Sequence, residues 1–136
     1  MYVCNEGRNM KLFSKVAFIF SAALCGTVLN ASVVTINSEN FQTEVLESKV
    51  PVILDAYTDW CHYCKSVAPL FSELSNEMDG KVKFVKLNIE KEYSVAKDLN
   101  IEALPTFLFY KNGKVVGRQA GALDKSGFKE KFAKWF

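Results

Sequence analysis

Histidine occurs once in this 136-residue chain, proline three times, and only two of the four cysteines lie beyond residue 31. Each scarcity removes a class of protein. The thiols of Cys61 and Cys64 and the lone His62 fall short of the four ligands of a tetrahedral zinc site. A c-type haem attachment needs histidine directly after the second cysteine, and that position is Lys65. One close pair is too few for a small secreted domain stapled by disulfides, and its loop is too small to constrain the unfolded chain much. Excess charge is also missing. Arg8, Lys11 and Lys15 against Glu6 account for the net +2, which leaves fourteen basic and fourteen acidic side chains in 32–136. No basic field therefore favours nucleic acid. Repeats, low-complexity stretches and Pro/Gly linkers are absent after residue 31. The length and a hydrophobic share of 49% fit one domain with a real core and not two.

Residues 1–31 read as a secretory signal. Lys11 and Lys15 form a positive start, Val16 to Leu29 is uncharged and mostly apolar, and Leu29-Asn30-Ala31 offers a cleavage site. Met10-Lys11-Leu12 reads as a more natural start than Met1. An uncleaved anchor is the alternative, weakened because Asn30, Ser32 and Thr35 make the stretch polar for a span of about 20 residues. A lipoprotein site at Cys25 is weaker still. Each option places the domain formed by 32–136 outside the cytoplasm, in the periplasm or beyond, with membrane anchoring if the leader stays.

Beyond the leader, Ser32–Ile36 is a β-branched strand candidate, and Ser38 is placed to cap a helix of about Glu39–Ser48. Val50–Thr58 is apolar throughout except for Asp55, as expected of a strand buried on both faces. A long helical pattern covers Cys61–Met78, with a kink expected at Pro69. Val82–Ile89 reads as a second buried strand and Tyr93–Leu99 as a short helix. Thr106–Tyr110 and Lys114–Arg118 flank Asn112-Gly113, a hairpin-turn pair, and Gly121 ends the second strand. Asp124 caps a last helix with Phe128, Phe132 and Trp135 on one side. This βαβαβαββα order predicts an α/β fold, a central mixed sheet with helices on both faces.

The chemistry concentrates at Cys61-His62-Tyr63-Cys64. Two cysteines three apart at a helix start close a small disulfide ring and reopen it. The first thiol gains from the helix dipole, which lowers its pKa. A Cys-x-x-Cys after a strand in this setting signals a redox centre. Asp55 stands out as a carboxylate in an apolar strand, where ionisation is costly.

Over residues 33–136 the chain resembles thioredoxin. The likeness is carried by Val52-Ile53-Leu54-Asp55, Trp60-Cys61-x-x-Cys64-Lys65, Ala68-Pro69, Val85-Lys86-Leu87-Asn88, Leu104-Pro105-Thr106, Lys111-Asn112-Gly113 and Gly121-Ala122-Leu123. The resemblance implies a thioredoxin fold and a thiol–disulfide oxidoreductase. Cys61 is then the nucleophile that forms a mixed disulfide, and Cys64 the more buried thiol that resolves it. Asp55 is the buried acid that exchanges a proton with Cys64, and Lys86 its neighbour; the alternative is a core carboxylate paired with Lys86. Pro105 matches a cis-proline opposite the disulfide, leaving a backbone edge for a substrate segment. Trp60, Ala103, Leu104 and Gly121 are expected at an apolar rim, with His62 and Tyr63 over the sulfurs.

Those last two residues depart from the family's usual Gly-Pro, and His62 either tunes Cys61 or points to solvent. The expected partners are protein disulfides or dithiols and a membrane-embedded electron donor or acceptor. The chain is expected to act as a monomer without cofactor or metal. A reductase or isomerase role is favoured over a small DsbA-like dithiol oxidase. A non-catalytic binding module or chaperone is the reading from another class.

Overall fold

The computed structural model describes residues 32–136. The leader assigned to 1–31 lies outside the described residues. Val34–Ile36 (β1), Val52–Tyr57 (β2), Lys83–Asn88 (β3), Thr106–Lys111 (β4) and Lys114–Ala120 (β5) form one sheet in the order β1-β3-β2-β4-β5. β1 and β2 run parallel to β3, β4 is antiparallel to β2, and β5 is antiparallel to β4. The apolar character of β2, broken only by Asp55, is explained by its central place, since both its faces are covered.

His62–Glu77 (α1) and Lys125–Trp135 (α3) cover one face; Tyr93–Asp98 (α2) and a π-helical segment, Gln42–Leu46, cover the other. Strand alternation divides the core accordingly. Ile53 packs with Phe71, Phe84, Phe107, Phe128 and Phe132, whereas Leu54 and Ala56 pack with Val45, Val85 and Leu87. The first set is an aromatic cluster with edge-on contacts, such as Phe71–Phe84 at 4.9 Å and Phe107–Phe128 at 5.0 Å. α1 continues through Pro69, whose missing N–H forfeits one backbone bond. Among the described residues no helix is long and apolar enough to cross a membrane.

Two local expectations are corrected. The helix expected over about Glu39–Ser48 is only the π-helical Gln42–Leu46, and Ser38 does not cap it. Its N-cap is Phe41, without a side-chain cap, and Asn37 instead fastens the preceding turn: its Oδ1 accepts from the N–H groups of Glu39 (3.0 Å) and Asn40 (2.9 Å). The Ser38 N–H is instead taken up by Glu92 Oε2 at 3.0 Å. The last strand also runs on to Ala120, past a register shift after Phe109↔Gly117 that leaves Val116 unpaired. The hairpin before it has φ of 53° at Asn112 and 74° at Gly113, as a type I′ turn requires.

α3 is held by Asp124, whose Oδ1 accepts from the Gly127 N–H at 2.7 Å. Its last turn lays Trp135 against Phe109, with ring centroids 4.5 Å apart, and over Gly117. A Cβ on Gly117 would stand 2.2 Å from the Trp135 ring. Gly117→Ala should therefore destabilise the protein by about 1–3 kcal/mol through overpacking. The check is a lower urea midpoint at unchanged m value; a wild-type midpoint would show that Trp135 turns aside at no cost.

Candidate active site

β2 delivers the chain to the site. Past Tyr57 the turn Thr58-Asp59-Trp60 leads to Cys61, whose N–H donates to Thr58 O at 3.3 Å. Cys61 is the N-cap of α1, and its Sγ accepts from the Cys64 N–H at 3.2 Å. A sulfur at this place sits where the helix dipole and a free backbone donor both favour negative charge. Cys61 and Cys64 are joined by a disulfide, with Cα atoms 5.3 Å apart.

The two cysteines are buried almost equally, at 6% and 4% exposure, so depth alone does not tell them apart. Their surroundings do. Cys61 lines an open groove of about 540 Å³ together with Trp60, His62, Tyr63, Ala103 and Leu104. Cys64 lines a different cavity, of about 160 Å³, on the other side of the disulfide. Asp55, Thr58 and Lys86 are among its walls. One sulfur is thus presented to a docked chain and the other to an internal carboxyl.

Asp55 lies in β2 opposite Lys86 of β3 and Phe107 of β4, on the sheet face beneath α1. Burial pushes its carboxyl up from the ordinary 3.8 to about 7, and the Lys86 ammonium restrains the rise. Lys86 is a neighbour rather than an ion-pair partner: its Nζ stands 5.9 Å over the Tyr57 ring. Asp55 Oδ1 has no hydrogen-bond partner among the described residues.

Leu104 lines the groove, and Pro105, joined to it by a cis bond, is buried behind that wall and does not line it. Thr106 Oγ1 donates to Ala103 O at 2.7 Å, fastening this turn. Gly121, with φ of 89°, was expected at the rim but does not line the groove; its N–H donates to Pro105 O at 2.8 Å. Trp60 is 69% exposed, and its indole N–H donates to Glu90 Oε1 at 2.8 Å. His62 and Tyr63 are both exposed, with their rings edge-on at 5.9 Å.

Several residues of the site go beyond the sequence reading. Ile89, Ile101 and Glu102 complete the groove, and their apolar or charged character alone does not separate them from core or surface positions. Asn88 is a buried brace at the end of β3. Its Oδ1 accepts from the Glu90 and Lys91 N–H groups, and its Nδ2 donates to Asp59 Oδ2 at 3.3 Å. Its polar side chain at the end of β3, two residues before Glu90, was the signal for it.

A helix-capping thiol in an apolar groove, bridged to a second thiol backed by a buried acid, defines a thiol–disulfide oxidoreductase. The comparisons with known proteins agree and narrow the class. The family model described as Thioredoxin matches residues 32–134, and the chain belongs to the thioredoxin family. It is 42% identical over 98 residues to Thioredoxin C-2 of Corynebacterium nephridii, covering 72% of this chain and 91% of that one. It is 40% identical over 96 residues to a thioredoxin of Haemophilus influenzae, covering 71% and 90%. Among solved structures, the thioredoxin Mala s 13 of Malassezia sympodialis superposes with a TM-score of 0.70 at 29% identity, over 77% of this chain and 91% of the other. Members of the family act on protein disulfides.

Proposed function

We propose that this oxidoreductase works outside the cytoplasm and on the reducing or isomerising side of disulfide exchange. The observation that carries the direction is the buried Asp55 carboxyl sharing a cavity with Cys64. An acid with its pKa raised to about 7 is partly ionised at neutral pH. It accepts the Cys64 proton as Cys64 attacks the Cys61–substrate disulfide, and so drives release of the reduced substrate. Lys86 holds that acid within a useful range, and Leu104, Ala103 and Trp60 seat the substrate segment beside Cys61, with the cis Pro105 behind Leu104. The location rests on the sequence of the leader, with Lys11 and Lys15 ahead of the apolar Val16–Leu29. A reductant in that compartment draws its electrons from a membrane-embedded donor, and the domain meets donor and substrate as a monomer.

The reduction potential of the Cys61–Cys64 pair in glutathione buffers is the test. A value near about −270 mV is expected, and one near about −120 mV would overturn the reading in favour of a dithiol oxidase. The exposed His62 next to Cys61 is the feature that favours that second reading, since an imidazolium there would hold the thiolate. The location has its own check. The exported protein should begin at Ser32 by N-terminal sequencing, and an unprocessed chain confined to the cytoplasm would refute export.

A further inference from the structure

Thr58 follows β2 directly, is 1% exposed, and carries a hydroxyl with no hydrogen-bond partner among the described residues. Asp55, three residues earlier, is 6% exposed and its Oδ1 is equally unpartnered. Buried polar atoms without partners are rare in folded proteins and ask for a reason. These two residues line the same cavity of about 160 Å³, and Cys64 lines it with them. A water takes roughly 30 Å³ of liquid volume and needs two to four polar partners, so this space is roomy and polar enough for ordered water. The charged groups around it are Lys86 from β3, Lys65 from α1 and Asp59 from the turn, while β4 brings only the neutral Phe107 opposite Asp55.

We propose that Thr58 is a positioning residue whose hydroxyl holds, in this cavity, the water that carries the proton between the Cys64 thiol and the Asp55 carboxylate. The proposal rests on Asp55 as the proton acceptor assigned under the proposed function. In the resolving step the Cys64 S–H bond breaks and its proton passes through the water to Asp55. The Cys64 sulfur bonds to Cys61 Sγ, and the bond from Cys61 to the substrate sulfur breaks. The substrate sulfur leaves with the electron pair as a thiolate, reduced, while the Cys61–Cys64 pair is oxidised. A hydroxyl suits the intermediate place because it donates and accepts at once. Donation toward the carboxylate side favours its ionised form, so loss of the hydroxyl moves the Asp55 titration upward.

The experiment is the pH profile of single-turnover resolution of a mixed disulfide with a fluorogenic peptide. Thr58→Val keeps the shape and removes the hydroxyl. Its midpoint is expected about one pH unit higher, with resolution at pH 7 slowed roughly fivefold. Thr58→Ser should restore the wild-type midpoint. Thr58→Ala is a second hydroxyl-free variant should the valine chain not fold. The proposal is overturned if the hydroxyl-free variants keep the wild-type midpoint, or if serine shifts it as far as valine does. Asp55→Asn separates the two layers. If it removes the midpoint while Thr58→Val leaves it in place, only the role of Thr58 fails. If the midpoint survives Asp55→Asn, the acceptor is not Asp55 and both assignments fall.

Discussion

Cys61→Ser abolishes turnover: insulin disulfide reduction should fall at least about a thousandfold, because the covalent route itself is removed. Cys64→Ser should behave differently. Cys61 still attacks, but nothing resolves the adduct, so a mixed disulfide with substrate accumulates and is read by mass spectrometry. The contrast follows from the two environments, Cys61 in the groove and Cys64 in the cavity with Asp55. Substrate trapped on Cys64 in the Cys61→Ser chain would reverse the roles. A double serine variant that keeps full cellular function would assign the groove to binding without turnover.

Asp55→Asn should make the protein sturdier and slower at once. The carboxyl titrates near 3.8 when exposed and at about 7 in the fold. Below about pH 3.8 both states hold the proton and burial carries no electrostatic cost. As pH climbs toward 7 the unfolded chain ionises this group and the folded one resists, so stability falls; above about 7 the cost is constant. Its upper limit is roughly 4 kcal/mol, from the size of the pKa shift. Urea unfolding should therefore show a gain for Asp55→Asn at pH 8 and almost none at pH 3. Equal effects at both pH values would show that the carboxylate is not buried with its charge. Disulfide exchange at pH 7 should drop roughly a hundredfold, the usual scale for a lost proton acceptor.

Much of this could be read before folding, for physical reasons that differ from residue to residue. β2 is apolar except for Asp55, and β3 buries Phe84, Val85 and Leu87 beside its lysines, because both faces of the central strands are covered. Asp55 stood out for the same reason, as a charge in a run that excludes charge. Asn112-Gly113 announced its turn because few other pairs accept positive φ twice. The failure of Ser38 to cap was not legible. Ser38 is a good capping residue by type, but its N–H is taken by Glu92, 54 residues away, and Asn37 fastens the turn instead. Ile89, Ile101 and Glu102 were hidden in another way. They belong to loops after β3 and α2, and only the folded sheet carries those loops to Cys61. Thr58 read as the tail of a strand; its importance appears only when its hydroxyl is found without a partner beside Asp55.

β1 runs parallel to β2, with Val34 level with Leu54 and Ile36 level with Ala56 through their shared partners in β3. The chain therefore enters β1 heading toward the Cys61 end, and Ser32 lies toward the opposite pole of the sheet. A six-residue strand spans about 20 Å. A tether joined at that pole would point the reactive sulfur away from the bilayer that holds it. Such a protein meets soluble clients readily and its own membrane poorly. If the leader were cut, as the proposed export requires, the domain would be free to turn over and offer the same face to a donor in the lipid and to a client in solution.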